Sequence, residues 1–197
     1  IDIDINLSFN FQPGHSLELD GSAVVETDFT DLDGGSEITF ELYFKAFDPE
    51  NSGGRFEFFW RENWGELVYD MTNHTFIFEL YGIGQTTYNF AVMADEWYHI
   101  AAEYKNDVAL GRLRIYLNGI VVAEDNGNAY PLGNQSNSPL YVGDYLNGRI
   151  DLVRISDTAI YGGYNFNPSE QNFYEGSGTR LLWDCNEGNG NTLYDVS

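Results

Sequence analysis

The sequence predicts an all-β protein, an antiparallel jelly-roll sandwich of two sheets, and three observations carry that prediction. Apolar residues recur at every second position in several segments, the period of a half-buried strand. Clusters rich in Gly, Asn, Asp and Pro separate these segments, and 21 of the 197 residues are Gly. Few segments show the 3.6-residue period of a helix, and strands of this number and spacing fill two packed sheets.

Taken in order, "EITFELYFKAF" (Glu37 to Phe47) sets Ile38, Phe40, Leu42, Phe44 and Ala46 against a polar face that holds Glu41, Tyr43 and Lys45. "GRFEFFWRE" (Gly54 to Glu62) sets Phe56, Phe58 and Trp60 against Arg55, Glu57, Phe59 and Arg61. "HTFIFELYG" (His74 to Gly82) places Phe76, Phe78 and Leu80 on one face. "RLRIYLNGIVVAE" (Arg112 to Glu124) does the same with Leu113, Ile115 and Leu117, and its Asn118-Gly119 is a two-residue hairpin turn, since both residues tolerate positive φ. "NGRIDLVRIS" (Asn147 to Ser156) is odd: simple alternation puts Ile150 and Leu152 on one face, Val153 and Ile155 on the other, with the carboxylate of Asp151 among them. "NPSEQNF" predicts one short helical turn near 167–173, with Asn167 as N-cap and Pro168 at the first position. No repeat and no long linker divides the chain, which reads as a single domain over 1–197. Its opening "IDIDINLSF" suggests a mature chain or a piece of a larger protein.

Charge narrows the function. Nine Lys and Arg stand against 31 Asp and Glu, a formal net charge of −22. That field opposes nucleic acid and anionic membrane surfaces and suits surroundings rich in divalent cations. No apolar run is long enough to insert in a membrane as a helix. The single cysteine, Cys185, excludes an internal disulfide, and the lack of paired cysteines favours a bacterial or viral product, or an intracellular one.

The succession "SLELDGSAVVE", "EITFELYFKA", "EWYHIAAEYKN", "GRLRIYLNGIVVAE", "PLYVGDYLNGRIDLVRIS" and "AIYGGYNFNP" resembles the laminin-G-like, concanavalin A-like lectin/glucanase superfamily over roughly Ser16 to Pro168. Its tail is most similar to such domains in structural proteins of phages and surface proteins of aquatic bacteria. The C-terminal "TRLLWDCNEGNGNTLYDVS" either supplies a final strand beside the N-terminal region or opens a second unit. The resemblance implies that the first and closing strands are neighbours, which would bring the Asp20-Gly21 turn near Asp151. Asp195 could then add an oxygen to a structural calcium site, since Ca²⁺ takes about six to eight hard oxygens. The competing expectation is that Asp151 accepts backbone N–H groups or pairs with Arg149 or Arg154. "DIDIN" (Asp2, Asp4, Asn6) and "DLDGGSE" (Asp31 to Glu37) lack a full ligand set.

Some members of the superfamily cleave β-glucans with paired acids on one strand. The nearest string here, "ETDFTD" (Glu26 to Asp31), runs into a turn, and no nucleophile triad is legible, so catalysis is not expected. Aromatic residues at turns and on the Glu41 face point instead to sugar stacking: Tyr43, Trp64, Tyr145 and Tyr164 are the candidate ligand-binding residues, with Asp20, Asp151 and Asp195 as the candidate metal ligands. The sequence therefore predicts a non-catalytic, lectin-like module of an extracellular, cell-surface or virion protein. Its partners would be a glycan or polysaccharide, with further domains or a homo-oligomer beside it. A structural or adhesive module of a phage tail or surface fibre is the alternative, and a β-glucan hydrolase comes third.

Overall fold

The computed structural model describes residues 15–27, 35–50, 54–107, 110–133, 138–168, 176, 178–186 and 192–197. Their strands are β1 (Leu17–Asp20), β2 (Val25–Thr27), β3 (Glu37–Ala46), β4 (Arg55–Arg61), β5 (Gly65–Asp70), β6 (Thr75–Leu80) and β7 (Gly84–Asn89). They continue with β8 (Trp97–Asp107), β9 (Leu110–Leu117), β10 (Ile120–Gly127), β11 (Leu140–Asp144), β12 (Asn147–Ser156) and β13 (Thr179–Trp183). A seven-stranded back sheet runs β1-β12-β3-β8-β9-β10, with β13 also on β12, and a six-stranded front sheet runs β2-β11-β4-β5-β6-β7. Every pairing is antiparallel. This is the expected two-sheet jelly-roll sandwich, without a long helix among the described residues. The helical turn expected near 167–173 lies largely outside them, as do "DIDIN", residues 28–31 of "ETDFTD" and most of "DLDGGSE".

Alternation explains the core. Phe40 and Phe44 of β3 pack on Phe59 and Phe58 of β4 with ring centroids 4.8 and 4.7 Å apart, joining the two sheets at their centres. Asn118 (φ 49°) and Gly119 (φ 77°) make the predicted β9–β10 hairpin. A Cβ on Gly119 would lie 2.1 Å from the carbonyl oxygen of Phe166, so no other residue fits there.

Two β-bulges overturn simple alternation, each placing two successive residues against one of the partner strand. In β12 the register shifts between Asp151 and Arg154, with Leu152 at φ 47°. Ile150, Val153 and Ile155 therefore all enter the core, while Asp151 and Arg154 face outward. On the other side of β12, β1 pairs with 147–150 and β13 with 153–156. These two short strands lie end to end, and Asp151 and Leu152 occupy the junction between them. The C-terminal segment thus supplies a final strand, on the closing strand rather than on β1. In β4 the shift falls between Glu57 and Phe59. Phe58 and Phe59 both turn inward and Trp60 is carried out to the front face, opposite to the sequence expectation.

The polar face of β3 is not exposed either. Residues 157–168 form a strap across the back sheet, anchored on two buried carboxylates. Glu41 accepts hydrogen bonds from the Tyr161 hydroxyl and from Arg154, and lies 3.1 Å from His99 Nε2. Glu103 accepts from the backbone N–H groups of Tyr161 (2.8 Å) and Gly162 (3.0 Å), and from Arg114 and the Tyr116 hydroxyl. Phe166 stacks on Tyr161 with centroids 3.7 Å apart. The glycine pair in "IYGGY" follows from this geometry: at Gly163 (φ 90°) a Cβ would press on the Arg114 guanidinium at 3.1 Å.

Candidate functional site

The loops after β1, β3 and β5 and the β11–β12 turn surround an open cleft of about 760 Å³ at one end of the front sheet. Asp20, Asp48, Arg55, Glu57, Tyr145 and Asn147 line it. Tyr145 is 57% exposed and sits at φ 59°, a left-handed conformation that a bulky residue adopts only when its surroundings impose it. Asp20 closes its turn by accepting at Oδ1 from Ser22 N (2.9 Å), Ser22 Oγ (2.8 Å) and Ala23 N (3.0 Å). These bonds hold its carboxyl below the ordinary carboxylate range.

The cleft opens onto the outward face of the front sheet. Arg55 stands between two carboxylates, donating from Nε to Glu57 Oε1 at 2.7 Å and from Nη1 to Glu66 Oε1 at 3.1 Å. Burial pushes both carboxyls up, and the Arg55 charge pulls them part of the way back. Three residues beyond Glu57 on β4 but only two positions on along β5, roughly 7 Å away because of the bulge, half-buried Trp60 stacks on half-buried Tyr141 with centroids 5.1 Å apart. The row across this face runs Glu26, Tyr141, Trp60, Glu66, Glu79 and Gln85. Exposed Tyr81, two residues on from Glu79, completes the set. Flat rings flanked by carboxylate acceptors and one guanidinium donor match a polyhydroxylated ring with apolar C–H faces.

Of the four aromatic residues predicted to bind ligand, only Tyr145 lies in the cleft. Tyr43 is 1% exposed, covered by the strap, with its hydroxyl donating to Pro168 O at 2.8 Å. Trp64 is 4% exposed, because the β4–β5 turn points its indole inward against Phe40. Tyr164 is 79% exposed but belongs to the strap on the opposite sheet. Sequence alternation does not single out Trp60, Tyr141, Tyr81, Arg55, Glu57 or Glu66. The available signal was the doublet Phe58-Phe59, two successive apolar residues that announce the bulge.

The predicted calcium ligands are not gathered. Asp20 pairs with Asn147, four residues from Asp151, so the two acids stand roughly 13 Å apart along β12. Asp195 accepts at Oδ1 from Leu182 N (3.0 Å) and Ser197 N (2.9 Å). Asp151 accepts from Leu152 N at 2.8 Å, while Arg149 and Arg154 pair with Glu18 and Glu41. Burial, with Asp184 nearby, pushes the Asp151 carboxyl up to about 7. Among the described residues no three His, Cys, Asp or Glu side chains converge on a metal position. The trio does not fit the ion.

A family model of the laminin G type, described as the concanavalin A-like lectin/glucanases superfamily, matches residues 19–162. The chain belongs to that superfamily. Three solved structures show the same fold at low identity. The first, described as a candidate carbohydrate-binding protein of Bacteroides ovatus, has a TM-score of 0.59 and 13% identity, with 88% of this chain and 52% of that one covered. This chain therefore spans about half the length of the Bacteroides protein. The CBM40 module of the Ruminococcus gnavus IT-sialidase, bound to α2,3 sialyllactose, has a TM-score of 0.55 and 11% identity over 74% of this chain and 90% of that one. Domain 4 of the extracellular GH43 arabinanase AbnA of Geobacillus stearothermophilus, in complex with arabinotriose, has 0.51 and 16% over 71% and 69%. A comparison with curated protein sequences found no match. No helix among the described residues is long and apolar enough to cross a membrane.

Proposed function

We propose that the chain is a non-catalytic carbohydrate-binding module of an extracellular, cell-surface or virion protein, and that it takes its glycan in the cleft and along the outward face of the front sheet. The observation that carries the reading is the Trp60–Tyr141 stack beside the Arg55–Glu57–Glu66 group, continuous with the cleft of Tyr145. Rings of this kind receive the apolar face of a sugar while the carboxylates accept from its hydroxyls. The three structural neighbours named above support the reading, since one is described as a carbohydrate-binding protein and the other two hold sialyllactose and arabinotriose.

The same group supports the non-catalytic part. A retaining glycosidase needs two carboxyls about 5 Å apart, one as free nucleophile and one as proton donor. Glu57 and Glu66 both spend an oxygen on one guanidinium, so neither stands free as a nucleophile. The test is a glycan array with the whole chain, in calcium and again in EDTA, together with an assay for reducing ends on every glycan that binds. The proposal expects binding to at least one oligosaccharide class with no new reducing ends. Loss of all binding in both buffers would hand the molecule to the structural or adhesive alternative, and released ends that vanish in Glu57→Gln would make it a hydrolase.

A further inference from the structure

We infer that the front-sheet site selects glycans that carry no acidic group, accepting neutral and amine-bearing oligosaccharides and refusing carboxylated or sulfated ones. The inference rests on the carbohydrate-binding reading above and adds the ligand class. It comes from where the cations are. All nine Lys and Arg of the sequence fall on described residues, so their placement is complete. Seven lie on strands of the back sheet. Arg61 of β4 points into the core, is 0% exposed and donates from Nε to Ser138 O at 3.1 Å. Arg55 alone reaches the proposed site, and Glu57 and Glu66 already hold its guanidinium from two sides.

The acids are distributed the other way. Glu26 and Glu79 lie in the outward row of the front sheet, Asp144 stands opposite Glu57, and Asp20 and Asp48 line the cleft. Asp20 stays ionised through the neutral range, because three hydrogen bonds favour its charged form. A ligand carboxylate entering here would meet several like charges and only a guanidinium already held by two carboxylates, whereas a sugar hydroxyl would find acceptors. The overall charge of −22 adds long-range repulsion to the local term.

The test uses backbone-matched oligosaccharides titrated into the whole chain at low and high salt. The sets are β-1,4-linked tetramers of glucose, glucosamine and glucuronic acid; α-1,4-linked tetramers of galactose and galacturonic acid; and lactose with 3′-sialyllactose. The neutral member of the set that binds should do so at least about tenfold tighter than its acidic counterpart. The amine form should bind at least as tightly as the neutral one at low salt, and the gap should narrow at high salt as charges are screened. In the Glu57→Gln/Glu66→Gln double variant, checked for an unchanged far-UV spectrum, Arg55 is unmasked and discrimination should close or reverse. An acidic member binding the wild type as tightly as its neutral counterpart would overturn the inference and leave the carbohydrate reading standing. Binding of no member of any set would overturn that reading, and the inference with it.

Discussion

Glu41→Ala is expected to destabilise the fold by about 3–5 kcal/mol, because it leaves a buried guanidinium without its counter-ion. Glu41 is fully buried in the middle of β3, where it holds Arg154, His99 and the Tyr161 hydroxyl at once. Burial alone would push its carboxyl up, but the hydrogen bond from His99 and the charge of Arg154 hold it below the ordinary range. Removing it takes the shared carboxylate from three polar groups and loosens the Tyr161 end of the strap. For a chain of this size the loss corresponds to a fall in Tm on the order of 10 °C. The control is Glu41→Met/Arg154→Met, which removes both charges and should recover much of the loss, as apolar replacements of a buried pair often do. A Tm within about 2 °C of wild type for Glu41→Ala would show that the network does not hold the strap.

The second large effect has the opposite sign. Asp151 is 3% exposed, and its carboxyl is pushed from 3.8 up to about 7. The folded state therefore binds the proton more tightly than the unfolded chain. The stability this group contributes is whole below pH 3.8 and is lost as pH rises to about 7. The full span amounts to on the order of 4 kcal/mol. Asp151→Asn keeps an oxygen to accept from Leu152 N and cannot ionise. Denaturant unfolding at pH 4 and pH 8 should give variant and wild type similar stability in acid, with the variant more stable by a few kcal/mol at pH 8. A variant that is less stable at pH 8 would mean that the ionised carboxylate has a partner in the folded protein.

Asp151 also marks where the sequence stopped being legible. Regular alternation in β3 and the Asn118-Gly119 turn are local signals, and the structure follows them. The order of motifs carried the sandwich and its family, because each motif reports a strand that the fold needs. Bulges are different: inserting one residue reverses every side chain beyond it, and the choice depends on the partner strand. Alternation therefore puts Trp60 in the core although it stacks on Tyr141 outside, and of the roles the sequence leaves open for Asp151 the bulge at the junction of β1 and β13 provides acceptance of a backbone N–H. Tyr43 failed for a longer-range reason. It sits on the polar side of β3 as predicted, but a strap more than a hundred positions later in the chain closes over that side and buries it. Tyr145 keeps the exposed turn position that the sequence implies, because a turn aromatic at a sheet end depends mostly on its own turn.

The most direct test of the carbohydrate site is a titration of wild type, Trp60→Ala and Tyr164→Ala with one neutral oligosaccharide that binds. Trp60→Ala should weaken binding by about 30-fold, the loss of roughly 2 kcal/mol typical of a stacking anchor, with Tm nearly unchanged. Tyr164→Ala, on the opposite sheet, should bind like wild type. Full affinity in Trp60→Ala with binding lost in Tyr164→Ala would contradict the account and move the site to the strap.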